Sequence, residues 1–586
     1  MKKIIFTLMC LIGMQSAFGQ VSFSIVEPAV VAGGYNFTSN GDGTNWGLPN
    51  LNNPADAIED TVMLVDDGTP GINAQGIPLA NEGCGTLIND LTGKIAFVYR
   101  YDGVSTNVCW YGTKVLMAEQ AGAIGVIMVN REDALIDVPG TTDGPLTSIP
   151  FAFISKSDGA AIRARLDAGD DVVAFLGNKL GLYSNDVGIT AQSTVAPKIA
   201  STSALIAQDN TEFSFDVGAK VYNYGTDNQS NLTVTATVTG PAGTWSETSA
   251  SYALNAGDSL DVFSGGTNNL PAFSQTNYPD GRYTLTYDID IGVSDESNFD
   301  NSLSYDFVIS DSLIGYSGLD PTTNLPVSNA NYTANSSIAL EMCVPLENPN
   351  ASRLAVEGFY FSSVTGYNSG VVLDGEEILL AVYEWNDVFT DLNDPALAFN
   401  DLNQVAGGFY YYPGDLQGEK VYGALPAPVQ FSDNQRYLGC VKTVNPEVFF
   451  GFDTGIQYGR SIDFTLEAVS PIFTDGGEFA LGFGTDIIPA VSMKVLDANE
   501  LSLTEVHQDF GEIYPNPTSG ELTVSLNQDY GTAQLTVVDL AGRKMLTEEL
   551  SSTVMQVNVS DLNAGQYTLV LNFENGATTQ FKFAKQ

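Results

Sequence analysis

A single histidine, His507, serves all 586 residues. Ser-His-Asp and Cys-His relays, HExxH zinc sites and histidine-clustered metals all need imidazole in the folded body of a chain. His507 sits in a linker-like stretch near the C-terminal end, so those chemistries are excluded from the middle of the chain. Basic residues are scarce too, 23 against 69 acidic ones, for a formal net charge of −46. Such a surface repels phosphate backbones, which argues against nucleic acid as a partner. Its ordinary use is solubility, in surroundings salty enough to screen it. Charged residues reach only 16% while hydrophobics make up 44% and aromatics 10%, the balance of a folded chain and not of a disordered polyanion. No apolar run beyond the first residues is long enough for a transmembrane helix, so no integral membrane segment is expected once those residues are removed.

The opening residues have the form of an export signal. Lys2 and Lys3 give a basic start, Ile4 to Met14 is apolar but short, and Ala17-Phe18-Gly19 offers small residues for cleavage. Residues 1–19 read as a signal peptide and Gln20 as the mature start. Cys10 follows Met9, where a lipoprotein signal needs a small residue, so no lipid anchor is expected. Four cysteines then remain, Cys84, Cys109, Cys343 and Cys440, in a chain bound for an oxidising compartment. Three pairings are open. Cys84 with Cys109 and Cys343 with Cys440 are favoured because each bridge then stays within one inferred domain; the first closes a loop worth roughly 3 kcal/mol in the chain-entropy model. Their spacing lacks the CxxC pairs of a zinc site, so staples are expected and no metal.

The length calls for three or four domains. Residues 20–193 contain the one mixed α/β region. GKIAFVYR (Gly93 to Arg100), GVIMVN (Gly125 to Asn130) and IPFAFIS (Ile149 to Ser155) are runs suited to buried strands. Val115, Leu116, Ala118 and Ala121 recur at helical spacing up to Gly122, and Lys156 to Ala168 forms a second helix, with Ser157 as N-cap and Gly169 as stop. The order GCGTLINDLTGKIAFVYR, Cys109, Lys114, AEQAGAIGVIMVN, IPFAFIS resembles the protease-associated (PA) domain, with EPAVVAGGYNFTSNGDGTNWGLP as a β extension upstream. One departure is YRYDGVSTNVC, which inserts residues where that family reads Arg-Gly before the cysteine. The resemblance implies a lid, docking surface or substrate-binding insert without catalytic residues of its own. Binding is then expected on the loops Tyr101 to Val108 and Arg131 to Thr147.

From Thr194 the pattern turns to short alternating runs broken by Asn, Gly, Asp and Pro, the mark of antiparallel β structure. Residues 194–310 resemble an immunoglobulin-like β-sandwich of the bacterial adhesion type, and 311–499 read as a larger β-rich, sandwich or jelly-roll-like domain. The strands of the latter include RLAVEGFYFSSV, EEILLAVYEW, GGFYYYP, QRYLGCVKTV and EFALGFG. Its aromatics suit a core or a sugar-stacking surface, and Tyr410-Tyr411-Tyr412 must turn at least one ring outward on a strand. DVFTDLNDPALAFND (Asp387 to Asp401) gathers carboxylates for calcium, without EF-hand spacing; no other cofactor is expected. Asp453-Thr454-Gly455 has the wording of an aspartic-protease loop but no second copy, and reads as a strand-turn.

After a linker at 500–510, IYPNPTSGELTVSL, LTVVDLAGRKM, VNVSDLNAGQYTLVL and TTQFKFAKQ follow over residues 511–586. This ordered set is similar to the type A C-terminal sorting domain of the type IX secretion pathway, a small β-sandwich. The resemblance rests on Tyr514, Pro515, Asn516, Pro517, Gly520, Asp539, Gly542, Leu562, Gly565 and Tyr567, with Lys582 and Lys585 in a basic tail. It implies the type IX machinery as a partner and an extracellular or cell-surface destination. The expected protein is mainly β, multidomain and non-catalytic, binding protein, peptide or glycan. The alternatives are a secreted hydrolase using carboxylates of 311–499, or a non-catalytic subunit of a secreted protease.

Overall fold

The β-branched run IAFVY becomes a strand buried at every position, Ile95–Tyr99, and sets the plan of the first domain in the computed structural model. The structure describes residues 21–39, 45–101, 108–133, 135–136, 138–333, 339–366, 370–465, 467–474, 477–502, 511–528, 530–539, 543–573 and 578–586. His507 and Gly542 lie outside them. The chain divides into two compact units, one ending at Leu501 and one beginning at Ser502.

The first domain is built from β1 (Val21–Glu27), β2 (Ile58–Leu64), β3 (Ile95–Tyr99), α1 (Tyr111–Gln120), β4 (Gly125–Val129), β5 (Phe151–Ile154), α2 (Lys156–Ala168) and β6 (Val173–Asn178). The sheet order is Gly33–Gly34, β1, β6, β2, β3, β4, β5, parallel from β2 to β5 and antiparallel elsewhere. Thr38 then pairs with Phe153 of β5, exchanging backbone hydrogen bonds of 3.0 and 2.8 Å. The segment after β1 thereby closes the far side of the sheet. The N-cap of α2 is Ser155, not Ser157: the Ser155 hydroxyl accepts from the Asp158 N–H at 3.0 Å, whereas Ser157 already lies inside the first turn. Gly169, at φ 83°, ends α2 as expected.

A two-sheet sandwich follows. One sheet contains β7 (Gly218–Asn223) between Val187–Gly188 and Ser259–Phe263; the other contains β8 (Gln229–Gly240), β9 (Gly281–Asp290) and β10 (Ser302–Ser310). Alternating burial along β9 is the period-2 pattern of a half-buried strand. Val187 enters this core upstream of Thr194.

The third domain is also a sandwich. β11 (Leu340–Leu346), β12 (Leu354–Thr365), β13 (Glu377–Trp385), β14 (Leu402–Tyr411), β15 (Lys420–Gln430), β16 (Arg436–Thr443), β17 (Val448–Asp453) and β18 (Ser492–Asp497) carry it. One sheet runs β14, β13, β16, β11, Ile472–Thr474, Gly477–Phe479; the other centres on β12 with β18, β17 and β15. Gly439 lies where the sheets meet, and a Cβ there would strike the Met493 sulfur and the Phe359 ring. EFALGFG is not one strand: it stops at Phe479, and Gly482 and Gly484 take positive φ values of 51° and 145°. The two sandwiches share one apolar core from Val187 to Val495. Ser201 and Gly315 exchange backbone bonds across the junction, and Arg353 reaches back to the Leu205 carbonyl and Glu212.

The second unit has a sheet of Gly511–Tyr514, Glu521–Leu526 and Val554–Asn558, and a second of Lys544–Leu550, Ala533–Asp539, Gly565–Phe573 and Thr578–Lys585. Leu522, Val524, Leu535, Leu569 and Leu571 fill the space between them.

Candidate functional site

The parallel strands of the first domain direct their C-terminal ends to one edge, where ligands of α/β sheets usually bind. Trp110 stands there at the N-cap position of α1, makes no capping bond, and leaves its ring 60% exposed. Cys109 beside it is bonded to Cys84, as favoured from sequence, which ties the loop to the body of the domain. The first turn of α1 packs on the 140–144 loop so closely that a Cβ on Gly112 would collide with the Gly140 carbonyl. The Thr113 hydroxyl donates to Asp143 at 2.6 Å across the same contact. Val108 and Leu146 are exposed as well. Of the two loops expected to bind, residues 102–107 lie outside the described chain, and 131–147 contributes Leu146. Trp110 itself escaped the sequence reading, although a large aromatic directly after a loop cysteine was the available signal.

Two arginines mark the same edge. Arg100, just after β3, donates to the Asn130 side chain at 2.8 Å and lies 5.8 Å from the Tyr111 ring centroid; Arg131 lies 5.4 Å from that of Tyr101. Burial holds the Arg100 guanidinium below its usual pKa, and Arg131 adds to the effect. Arg131 is also paired with Glu132 at 3.2 Å.

Lys114, inside α1, is fully buried. Its ammonium donates to the Glu82 carbonyl and lies 3.6 Å from the Cys84 sulfur. Burial pushes its pKa down to about 8, opposed by Glu82 and Asp67. Glu82, equally buried, accepts from Asn73 at 3.0 Å. These groups brace the disulfide loop from within.

A cavity of about 380 Å³ lies between the first domain and the first sandwich, lined by Ile25, Phe175, Lys179, Tyr183 and Phe299 among others. At its base Lys179 donates to Asp186 at 2.6 Å and Asp300 at 2.9 Å, with the Tyr224 and Phe299 rings each 4.8 Å away. One ammonium thus serves two carboxylates. Burial raises both, Asp186 to about 7 and Asp300 to about 6.

In the third domain a cleft of about 360 Å³ is lined by Trp385, Asn434, Arg436, Glu347 and Glu467. Arg436 bridges Glu347 at 3.0 Å and Glu467 at 2.9 Å while lying 4.0 Å from the Phe389 ring centroid. Burial raises the Glu347 carboxyl, Arg436 opposing. The other acids singled out are engaged locally. Asp453 is buried and accepts from the Gly318 and Gly455 N–H groups, each at 2.7 Å, which makes the Asp-Thr-Gly stretch a turn. In the 387–401 loop, Asp387, Asp391 and Asp394 each accept from backbone N–H groups of that loop. Glu341, Cys343 and Cys440 form the metal-sized cluster among the described residues, but there the two sulfurs are bonded to each other.

In the second unit, Asn516 holds the last strand by bonds to Lys582 and Ala584, and Gly520 accepts from the Val559 N–H. Asp539 pairs with Arg543 at 2.6 Å, Leu562 packs against the core, and the Tyr567 ring lies 5.7 Å from that of Phe583. Tyr514 ends the leading strand before Pro515 and Pro517, and Gly565 begins a later one.

Family models match these two regions: the PA domain over residues 50–162 and the secretion system C-terminal sorting domain over 512–586. The chain carries a PA domain and a type IX sorting domain, and the latter marks it for secretion or the outer cell surface. Among curated proteins, aminopeptidase YwaD of Bacillus subtilis (strain 168) is 32% identical over 124 residues, 20% of this chain and 26% of that protein. An aminopeptidase from Aneurinibacillus sp. strain AM-1 is similar at 20% identity and TM-score 0.18, over 27% of this chain and 30% of that one. The subtilisin-like protease Apa1 from Pseudoalteromonas sp. AS-11 is similar at 13% identity and TM-score 0.17, over 27% and 33%. The chain thus spans little more than a quarter of the curated relative. No helix among the described residues is long and apolar enough to cross a membrane.

Proposed function

We propose that this is a non-catalytic exported protein whose PA domain docks a polypeptide at the C-terminal edge of its parallel strands. The observation that carries this reading is Trp110, a large ring left in water on a disulfide-pinned loop. Exposed tryptophans on rigid supports are the usual anchors of protein interfaces. Partial similarity to aminopeptidases favours a peptide, or a secreted protease for which this chain is an accessory, over a small ligand. The test is capture of peptides from a random library by the full chain and by Trp110→Ala. Enrichment that the substitution lowers tenfold or more supports the docking face; equal enrichment by both chains removes it.

The second reading is a hydrolase, supported by the convergence of Glu347 and Glu467 on Arg436 in one cleft. Turnover of a polysaccharide or protein by the full chain, abolished by Glu467→Gln, would establish it. Absence of turnover over the same panel sinks it.

A further inference from the structure

The outer face of the β14–β13–β16–β11 sheet is apolar beneath the 386–401 loop, where Ala381, Cys343, Cys440, Trp385 and Phe399 form a second small core. Beyond that cover the face is open. Strand alternation places Phe409 and Tyr411 of β14 on the open side, 59% and 57% exposed, with rings inclined by only 22° and centroids 6.4 Å apart. The register continues the row inward: Phe409 is paired with Leu379, Leu379 with Lys442, and Lys442 with Glu341. Tyr411 is paired with Glu377, and its phenol donates to that carboxylate at 2.5 Å, which fixes the ring. Lys442 is half-buried on the same face and is held at 3.3 Å by Glu341, which is itself buried and accepts from the Tyr383 hydroxyl at 2.9 Å.

We infer that this face is a binding platform for a neutral polysaccharide. Sugar rings present a C–H face that stacks on aromatic rings, and a rim of hydroxyls that bonds to charged and carbonyl groups. The platform supplies both: two near-parallel rings with the Glu377 carboxylate beside them, then an aliphatic step, then the half-buried Lys442 ammonium. Two isolated rings among charges are too little apolar surface for a stable protein interface, which needs on the order of 1,000 Å². A net charge of −46 disfavours uronate or sulfated chains, leaving uncharged ones. The platform lies on a different domain from Trp110 and does not depend on peptide docking.

The test is affinity electrophoresis and pull-down of the full chain with cellulose, xylan, mannan, starch, chitin and mixed-linkage glucan. Retention by at least one is expected. The Phe409→Ala/Tyr411→Ala double variant, whose rings lie in water and do not support the core, should lose at least about tenfold in affinity. Tyr411→Phe should keep most of it, and Trp110→Ala all of it. No retention on any of the six polymers, or retention unchanged in the double variant, overturns the inference. So does loss of capture of a protein ligand in the double variant with no polymer bound.

Discussion

Lys179 and Asp186 meet at 2.6 Å with both side chains shut off from water, at the junction of the PA domain and the first sandwich. The lysine follows β6 directly, while Asp300, its second partner, lies just before β10. The contact therefore belongs to neither domain alone. Replacing Lys179 by Met leaves two buried carboxylates without a cation, and a loss of about 3–5 kcal/mol at pH 8 is expected. Equilibrium unfolding in urea measures it; a loss below 1 kcal/mol would show that the pair is dispensable.

The same cluster sets a pH dependence. Burial raises the carboxyls of Asp186 to about 7 and Asp300 to about 6, against an ordinary 3.8. The folded chain thus binds protons more readily than the unfolded one. This contribution is complete near pH 4 and is lost as pH rises through 6 and 7. The melting temperature should fall from pH 5 to pH 8 by more in the wild type than in Asp186→Asn. Equal slopes would refute the assignment.

Lys114 has the opposite sense. Its folded pKa of about 8 lies below the ordinary 10.5, so the folded chain binds fewer protons between those values and gains stability as pH rises across them. Lys114→Met should lack that rise, because methionine has no proton to release across this window. Calorimetry of both chains from pH 7 to 10 tests this against a parallel pair of curves.

The two disulfides should differ in value. Cys343–Cys440 spans 97 residues and Cys84–Cys109 spans 25. In the chain-entropy model these loops are worth about 4.7 and roughly 3 kcal/mol. Replacing the first pair by alanine should therefore lower the denaturation midpoint more than replacing the second. The reverse order would point to packing around Cys84 as the larger effect.

Local signals were legible where backbone chemistry dictates them. IAFVY, the glycine after α2 and the alternation of β9 needed no tertiary knowledge. Ser155 and Ser157 both lie near the helix start, and only the bond from the Asp158 N–H to Ser155 chooses between them. EFALGFG has the composition of a strand, but the strand stops at Phe479 and Gly482 and Gly484 take positive φ values that composition does not reveal. Lys179, Asp186 and Asp300 were illegible for a different reason: the first and last are 121 positions apart, and no periodicity links them. The shared core of the two sandwiches was hidden likewise, since each alternates correctly as a separate body. Trp110 and Phe409 are exposed exceptions to apolar burial, which a pattern of burial does not single out.

The pairing of Thr38 with Phe153 bears on how small a working PA domain can be made. A fragment cut to residues 50–162 would discard β1, β6 and Thr38, baring the backbone of β2 along one margin and of β5 along the other. Two unsatisfied strand margins on one small body invite self-assembly into ladders. The smallest piece that keeps its hydrogen bonds to itself starts at the first described residue and runs through Asn178. Any soluble probe made from this domain has to carry both flanks.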